Sequence, residues 1–312
     1  MQNQTTPIEF ILLGFSMYPE LHFLLSVVIP ITYIFTLMGN VFIIFIITVE
    51  PHLQTPMYFF LGNLSLFDIC QTTTIVPQML LHLFSGANNI SYTKCMVQLY
   101  FFILFVGAEG LLLAAMAYDR FLAICNPLRY TVLMDRKACS MLVMALWLTT
   151  ALNASVHTAL TVHLPFCGPS KINYFYCDVP PLLALSCGDL SLNTTVLLVA
   201  SVVMGWGPSI CIVLSYVYIV CRVLKMSSSQ ERAKAFSTCA SHLSVVLLYF
   251  GSCLFTYIRP MSSYSLDRDK LISLLYSILT PMLNPVIYTL RNKDVKRTLE
   301  KLTPPLSPSR AP

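Results

Sequence analysis

Long stretches of this chain carry no charge at all, and that feature limits the fold before any other does. Residues 21–49, 51–67, 69–93, 138–170, 190–221, 235–258 and 271–290 contain no Asp, Glu, Lys or Arg, and 95–108 joins 110–118 once the single Glu109 is allowed. A helix needs about 20 mostly apolar residues to cross a bilayer, and most of these stretches supply them. Residues 51–67 and 69–93 hold one helix, roughly 57–84, that contains Asp68. The pattern predicts seven helices, centred near residues 36, 70, 110, 149, 207, 246 and 280. Charged residues make up only 11% of the 312, against roughly 25% in a soluble domain. The expected fold class is an all-α membrane protein, a seven-transmembrane helix bundle.

Lysine and arginine set the orientation, because they collect on the cytoplasmic side. With the N-terminus outside, Lys94, Lys171, Arg259, Arg268 and Lys270 fall on the outer face and the other 14 of the 19 fall inside. An extracellular N-terminus at 1–22, a seven-helix bundle at 23–290 and a cytoplasmic tail at 291–312 are therefore expected, in a multi-pass protein of the plasma membrane. The first residues, MQNQTTPIEF, lack a basic region and a short apolar run with a cleavage site, so the first helix is expected to act as its own anchor. Asn3 begins an outer glycosylation acceptor; Asn89 and Asn193 match as well but lie near helix ends, and the matches at Asn63 and Asn153 fall inside helices.

Of eleven cysteines, only Cys95, Cys167, Cys177 and Cys187 fall on the outer, oxidising side. Four cysteines allow three pairings. The loop at 163–189 holds three of them with four prolines, which suggests a stapled lid. Pro30, Pro77, Pro208, Pro281 and Pro285 sit within apolar spans, where each frees backbone carbonyls and bends its helix. In the tail, Val295, Leu299 and Leu302 form one apolar stripe opposite basic residues, the pattern of a short amphipathic helix on membrane lipid.

Ionisable groups inside a membrane are costly and so are functional suspects. Asp68 lies midway along the second helix, and Glu109 lies 11 residues before Arg120 on the third, about 16 Å away. The two carboxylates can meet near mid-membrane with Asn40 and Asn284 as neighbours. Two close acids do not both ionise without a cation or a shared proton, so a sodium- or proton-linked site is expected there; the alternative is a pair of protonated carboxyls satisfied by hydrogen bonds. Asp119 and Arg120 fall at the inner end of the third helix, where the arginine reaches the interface and the acid can hold it locally.

The pair does not stand alone. MAYDRFLAICNPLRY (116–130), GN (39–40), PMYFFLGNLSLFD (56–68), Trp147, SY (215–216), KAFSTCASHL (234–243) and PMLNPVIYTLRN (281–292) occur in that order. Together they resemble the odorant (olfactory) receptors, a branch of the rhodopsin-like G-protein-coupled receptors, over residues 8 to 302. The short start and the LPFCGP loop look like the class II, tetrapod-type division. The resemblance implies that Arg120 engages a G protein of the stimulatory Golf or Gs type, raising cAMP. It implies that Asp119 restrains Arg120 at rest, and that Tyr216, Asn284 and Tyr288 take part in activation. It places Asp68 and Glu109 at an ion site, and pairs Cys95 with Cys177 and Cys167 with Cys187. The family's usual Tyr after Arg is Phe121 here, and YFG at 249–251 reverses the usual Phe-Tyr order, leaving Phe250 without a hydroxyl at the toggle position.

The resemblance also places the ligand. Phe102, Ile103, Val106 and Gly107 from the third helix, Asn153 from the fourth and Ala200, Ser201 and Met204 from the fifth are expected to face the cavity. Phe250, Cys253, Leu254 and Tyr257 from the sixth and Leu274 and Ser277 from the seventh complete the set. No residue among them is charged, so a cationic amine would be desolvated without a partner. A small, neutral, volatile odorant is expected, with one carbonyl or hydroxyl meeting Tyr257 or Ser277. A transporter would favour internal repeats, and none is visible. A retinal-binding opsin needs a lysine within 271–290, and an enzyme needs a nucleophile–base pair or a metal set; HExxH, GxSxG and CxxC are absent. His157 and His163 read as interfacial histidines rather than metal ligands. No catalytic residue, resident metal or nucleic-acid partner is expected.

Overall fold

The structure, a computed structural model, describes residues 9–17, 19–167, 170–257 and 266–290. Seven helical rods in it are long and apolar enough to cross a membrane. The first three are α1 (His22–Val49), α2 (Pro56–Ser85) and α3 (Tyr92–Cys125). A short α4 (Pro127–Leu133) precedes α5 (Arg136–Val162), and a short α6 (Val179–Leu183) lies within the long loop. The fifth rod is α7 (Ser191–Ala200) joined to α8 (Gly207–Leu224) through a π-helical turn at Ser201–Trp206. The sixth is α9 (Ser229–Tyr257), and the seventh joins α10 (Leu266–Leu274) to α11 (Thr280–Leu290) through a second π turn at Leu275–Leu279. The tail stripe at 291–302, Asn3 and Arg259 lie outside the described residues.

Burial is inverted relative to a water-soluble protein. Large apolar side chains point outward from every rod, among them Phe23, Leu148 and Leu247, while Asn40, Asp68, Glu109, Thr150 and Asn284 are buried. Lipid tails are as apolar as leucine, so helices gain nothing by hiding apolar groups from them; packing and polar contacts hold the rods together. α3 is the hub, in contact with α2, α5, α8 and α9.

Local chemistry sets the helix ends and breaks. Ser91 caps α3 by accepting from Lys94 N at 3.3 Å, and Asp135 caps α5 by accepting from Ala138 N at 2.7 Å. Pro208 and Pro281 follow the two π turns, where the helix widens to absorb a missing N–H. Polar side chains take up nearby carbonyls: Thr280 Oγ1 donates to Leu275 O at 3.0 Å, and Asn40 Nδ2 donates to Pro281 O at 3.1 Å. Asn40 can do so because α1 passes close to α11 at Gly39, where a Cβ would stand 3.0 Å from the Pro285 ring.

At the disulfide end the chain builds a lid. Cys95 bonds Cys177, and Cys167 bonds Cys187. β1 (Glu9–Leu12) runs antiparallel to β2 (Asn89–Ser91) and parallel to β3 (Lys171–Ile172), so the segment before α1 is a strand between two loops. Phe10 is fully buried, edge-on to Phe166 at 5.4 Å. Just beyond, Gly14 N donates to Tyr174 O at 3.1 Å. A Cβ on Gly14 would run into the Phe175 ring and sit 2.9 Å from the Tyr174 carbonyl oxygen.

Gly14→Val should therefore unseat the strand from the lid and destabilise the protein by about 1–3 kcal/mol, the usual cost of overpacking. Gly62→Ala, whose new methyl meets only Ile47 at 3.9 Å, should be tolerated. Thermal unfolding of the purified variants checks this; equal midpoints would contradict the packing. Peptide mapping without reductant should recover both disulfides, and a Cys95–Cys187 peptide would contradict the pairing.

Candidate functional site

A cavity of about 120 Å³ lies beneath the lid, between α3, α5, the fifth rod and α9. Its walls include Phe102, Ile103, Val106, Gly107, Asn153, Ala200, Ser201, Met204, Phe250, Cys253, Leu254 and Tyr257. The structure brings these together as the sequence suggests. Leu274 and Ser277 are not among the lining residues. Ser277 Oγ donates to Ser273 O at 2.6 Å within its own rod. Tyr276, fully buried, is the residue that faces α9, with its hydroxyl 3.2 Å from that of Tyr257. This part of the rod is the π turn Leu275–Leu279, where Tyr276 rather than Ser277 meets α9.

Four further lining residues matter chemically: His157, Asp178, Gly110 and Tyr249. His157 is buried against the cavity rather than interfacial, which corrects the reading from sequence. Among the described residues no His, Cys, Asp and Glu cluster able to hold a metal is found. Asp178 follows Cys177 directly, so the disulfide that holds Cys177 to the top of α3 also carries a carboxylate over the cavity mouth. The adjacency CD in the sequence was the available signal.

Asp178 is held from two sides. Its Oδ1 accepts from Val179 N at 2.8 Å as the cap of α6, and its Oδ2 accepts from Tyr257 Oη at 2.8 Å. Desolvation outweighs these bonds and pushes its pKa up to about 6. The Tyr257 proton is thus already committed, and so is that of Ser277. Neither hydroxyl is the waiting ligand donor expected from the sequence.

Midway down the bundle, Asn284 Nδ2 donates to both Asp68 oxygens, at 3.2 and 2.9 Å. Glu109 lies within electrostatic reach of Asp68. Both Glu109 carboxylate oxygens, Asn40 Oδ1 and Asn284 Oδ1 are buried with no hydrogen-bond partner among the described residues. Asp68 is thus bonded to Asn284, while the Glu109 oxygens and the two amide oxygens beside it are the unmatched atoms.

The olfactory receptor family model matches residues 29–304. Human olfactory receptor 1C1 is 46% identical over 301 residues, 96% of each chain, and human olfactory receptor 10AG1 is 48% identical over 294 residues, 94% of this chain and 98% of that one. Mouse olfactory receptor 5AP2 is 46% identical over 301 residues, covering 96% of this chain and 95% of its own. The chain belongs to the olfactory receptor family. Squid rhodopsin, at 17% identity and a TM-score of 0.68 over 90% of this chain and 85% of that one, shares the fold. An olfactory receptor is not an enzyme, and this one is a multi-pass membrane protein.

At the far end of the olfactory receptor's bundle, Asp119 accepts from Tyr130 Oη at 2.9 Å. No ion pair joins Asp119 to Arg120 among the described residues, and Arg120 Nε is buried without a partner. Arg120 still lies within electrostatic reach of Asp119. Tyr130 of α4 is the group that Asp119 secures. Tyr216 also has a partner that the sequence reading missed. His242 Nε2 lies 3.1 Å from Leu113 O and His242 Nδ1 lies 2.8 Å from Tyr216 Oη. A carbonyl only accepts, so Nε2 carries the proton and Nδ1 accepts from the tyrosine. Tyr288 is buried nearby, its hydroxyl unpaired. Tyr249, displaced by the reversed YFG order, donates its hydroxyl to Val106 O on α3.

The raised pKa of Asp178 has a defined sign. The folded protein holds this proton more tightly than the unfolded chain, so its contribution to stability is present below about pH 4 and is lost as pH rises to about 6. Asp178→Asn keeps the α6 cap and removes the titration. The stability difference between wild type and variant should shift towards the variant between pH 4 and 6.5 in thermal unfolding; a flat difference would contradict the burial of this carboxyl.

Proposed function

We propose that this olfactory receptor binds small, neutral, volatile odorants in the cavity beneath the lid and activates a stimulatory G protein of the Golf or Gs type, raising cAMP. The observation that carries the reading is the cavity's place on α3. The rod that supplies Phe102, Val106 and Gly107 to the wall carries Asp119 and Arg120 towards its other end. In this reading the protein sits in the plasma membrane with its N-terminus and lid outside and its tail inside. The distribution of Lys and Arg and the placement of both disulfides at one end support that orientation.

The mechanism follows from groups in place. Lined mostly by apolar side chains with a few polar ones, the cavity suits an apolar ligand with one polar function. Filling it pushes on α3 and α9, which are tied by Tyr249 to Val106 and by His242 to Leu113. Displacing α9 at the inner end frees Tyr216 from His242 and opens the space beside Arg120 for the G protein.

A sodium ion fits the mid-bundle oxygens. Asp68, Glu109, Asn40 and Asn284 would hold it, a hard cation among oxygen donors. Bound there, it would neutralise the acid pair and favour the resting arrangement. A shared proton is the second reading, favoured by the burial of the two carboxyls within electrostatic reach of each other.

Cells carrying the receptor should raise cAMP when given an odorant panel. Arg120→Ala should remove the response without removing the protein from the surface, and Gly107→Leu should weaken it at least tenfold by filling the cavity. A Gly107→Leu variant of unchanged potency would move the site elsewhere, and wild-type signalling by Arg120→Ala would take that residue out of coupling. Replacing external sodium with a large organic cation should raise basal cAMP in wild type and leave Asp68→Asn unaffected. Equal behaviour of the two would discard the sodium reading.

A further inference from the structure

The polar corner of the cavity has a direction. A carboxylate accepts only, through about four lone-pair positions on its two oxygens. Val179 N and Tyr257 Oη occupy one position on each Asp178 oxygen, which leaves acceptors facing the cavity. No proton is left there to donate: Tyr257 gives its own to Asp178, with Tyr276 Oη beside its oxygen at 3.2 Å. Ser201 gives its proton to Leu197 O at 2.7 Å. Across the cavity, Asn153 and His157 stand one turn apart on α5 and can meet the lone pairs of a ligand oxygen. A ligand that donates at Asp178 is therefore matched on both sides, and one that only accepts is matched on one.

We infer that the cavity selects hydroxyl-bearing odorants, alcohols or phenols that donate their O–H proton to Asp178, over ketones and ethers of the same carbon skeleton. The inference rests on the odorant-receptor reading and narrows it. At this corner the ligand supplies the proton and Asp178 accepts it.

The test uses matched sets at pH 7.4: 2-octanol, 2-octanone and 2-methoxyoctane; menthol, menthone and menthyl methyl ether; 4-ethylphenol and 4-ethylanisole. Cyclic AMP in cells and thermal stabilisation of the purified receptor are read for each. In wild type the hydroxyl member of a responding set should be about tenfold or more the most potent, the usual value of one hydrogen bond to a charged group. Asp178→Asn, which can both donate and accept, should bring the members of a set within about threefold of each other. Tyr257→Phe, which leaves the carboxylate in place, should keep the hydroxyl preference. Surface expression checks folding of both variants. A ketone or ether that matches its alcohol on wild type overturns the inference and leaves the receptor reading standing. So does a preference that survives Asp178→Asn. If no member of any set either activates or stabilises the protein, the odorant reading falls and takes the inference with it.

Discussion

A peptide group in hydrocarbon has no water to bond to, so each must find its partner inside the protein. Most of this structure follows from that requirement. It makes the charge-free stretches helical, and it explains the repairs where proline breaks a helix. Pro208 and Pro281 each follow a π turn, and Thr280 and Asn40 donate to the carbonyls left nearby. Asn40 can reach across only because Gly39 lets α1 approach Pro285. The same logic turns polar side chains inward, since lipid satisfies none of them. A bundle of this kind has a polar axis, and the acids Asp68 and Glu109 lie on it.

The lid obeys a different rule because it sits outside hydrocarbon. It is held by two disulfides, a three-stranded sheet and buried tyrosines. The Cys95–Cys177 bond matters beyond anchoring. Cys177 N donates to Gln98 Oε1 at 2.9 Å, and Gln98 Nε2 donates to Thr74 O at 3.0 Å. The loop is thereby fixed to α3 and α2 at once. Asp178, one residue on, has no freedom to turn away from the cavity and meets Tyr257 of α9 instead. One covalent bond thus sets the chemistry at the cavity mouth.

The seven rods were legible because charge exclusion from a membrane is a strong signal that needs no partner. Residues 57–84 and the rod Pro56–Ser85 differ by a residue at each end. The cavity positions on α3, α5, the fifth rod and α9 were legible through the family resemblance, and the structure gathers them around one cavity. Most of what was missed depends on something distant in the chain. β1 is four residues whose partners lie about 80 and 160 positions away. Asp178 is placed by a bond to α3. Leu274 and Ser277 were carried over from the family resemblance, and in this chain Tyr276 meets α9 instead. His157 looked interfacial because it lies near a helix end, yet the lid covers that end. The bond from Tyr130 of α4 to Asp119 was not legible either, because it joins two separate helices.

α3 and α9 show how a cavity can be connected to a distant arginine without a moving loop. Tyr249 bonds Val106, and His242 bonds Leu113. The two ties are seven residues apart on each helix, in opposite directions, so they form two rungs of one antiparallel ladder about 10 Å apart. Each rung runs from a side chain of α9 to a backbone carbonyl of α3, so it reads the position of the α3 main chain and is indifferent to α3 side chains. The upper rung lies at the cavity wall, since Val106 and Tyr249 both line it. The lower rung also holds Tyr216 through the other nitrogen of His242. One neutral imidazole thus supplies both the donor to Leu113 O and the acceptor for Tyr216 Oη. With Tyr249 in place of the usual phenylalanine, the upper rung gives this receptor a pivot that Phe250 cannot provide.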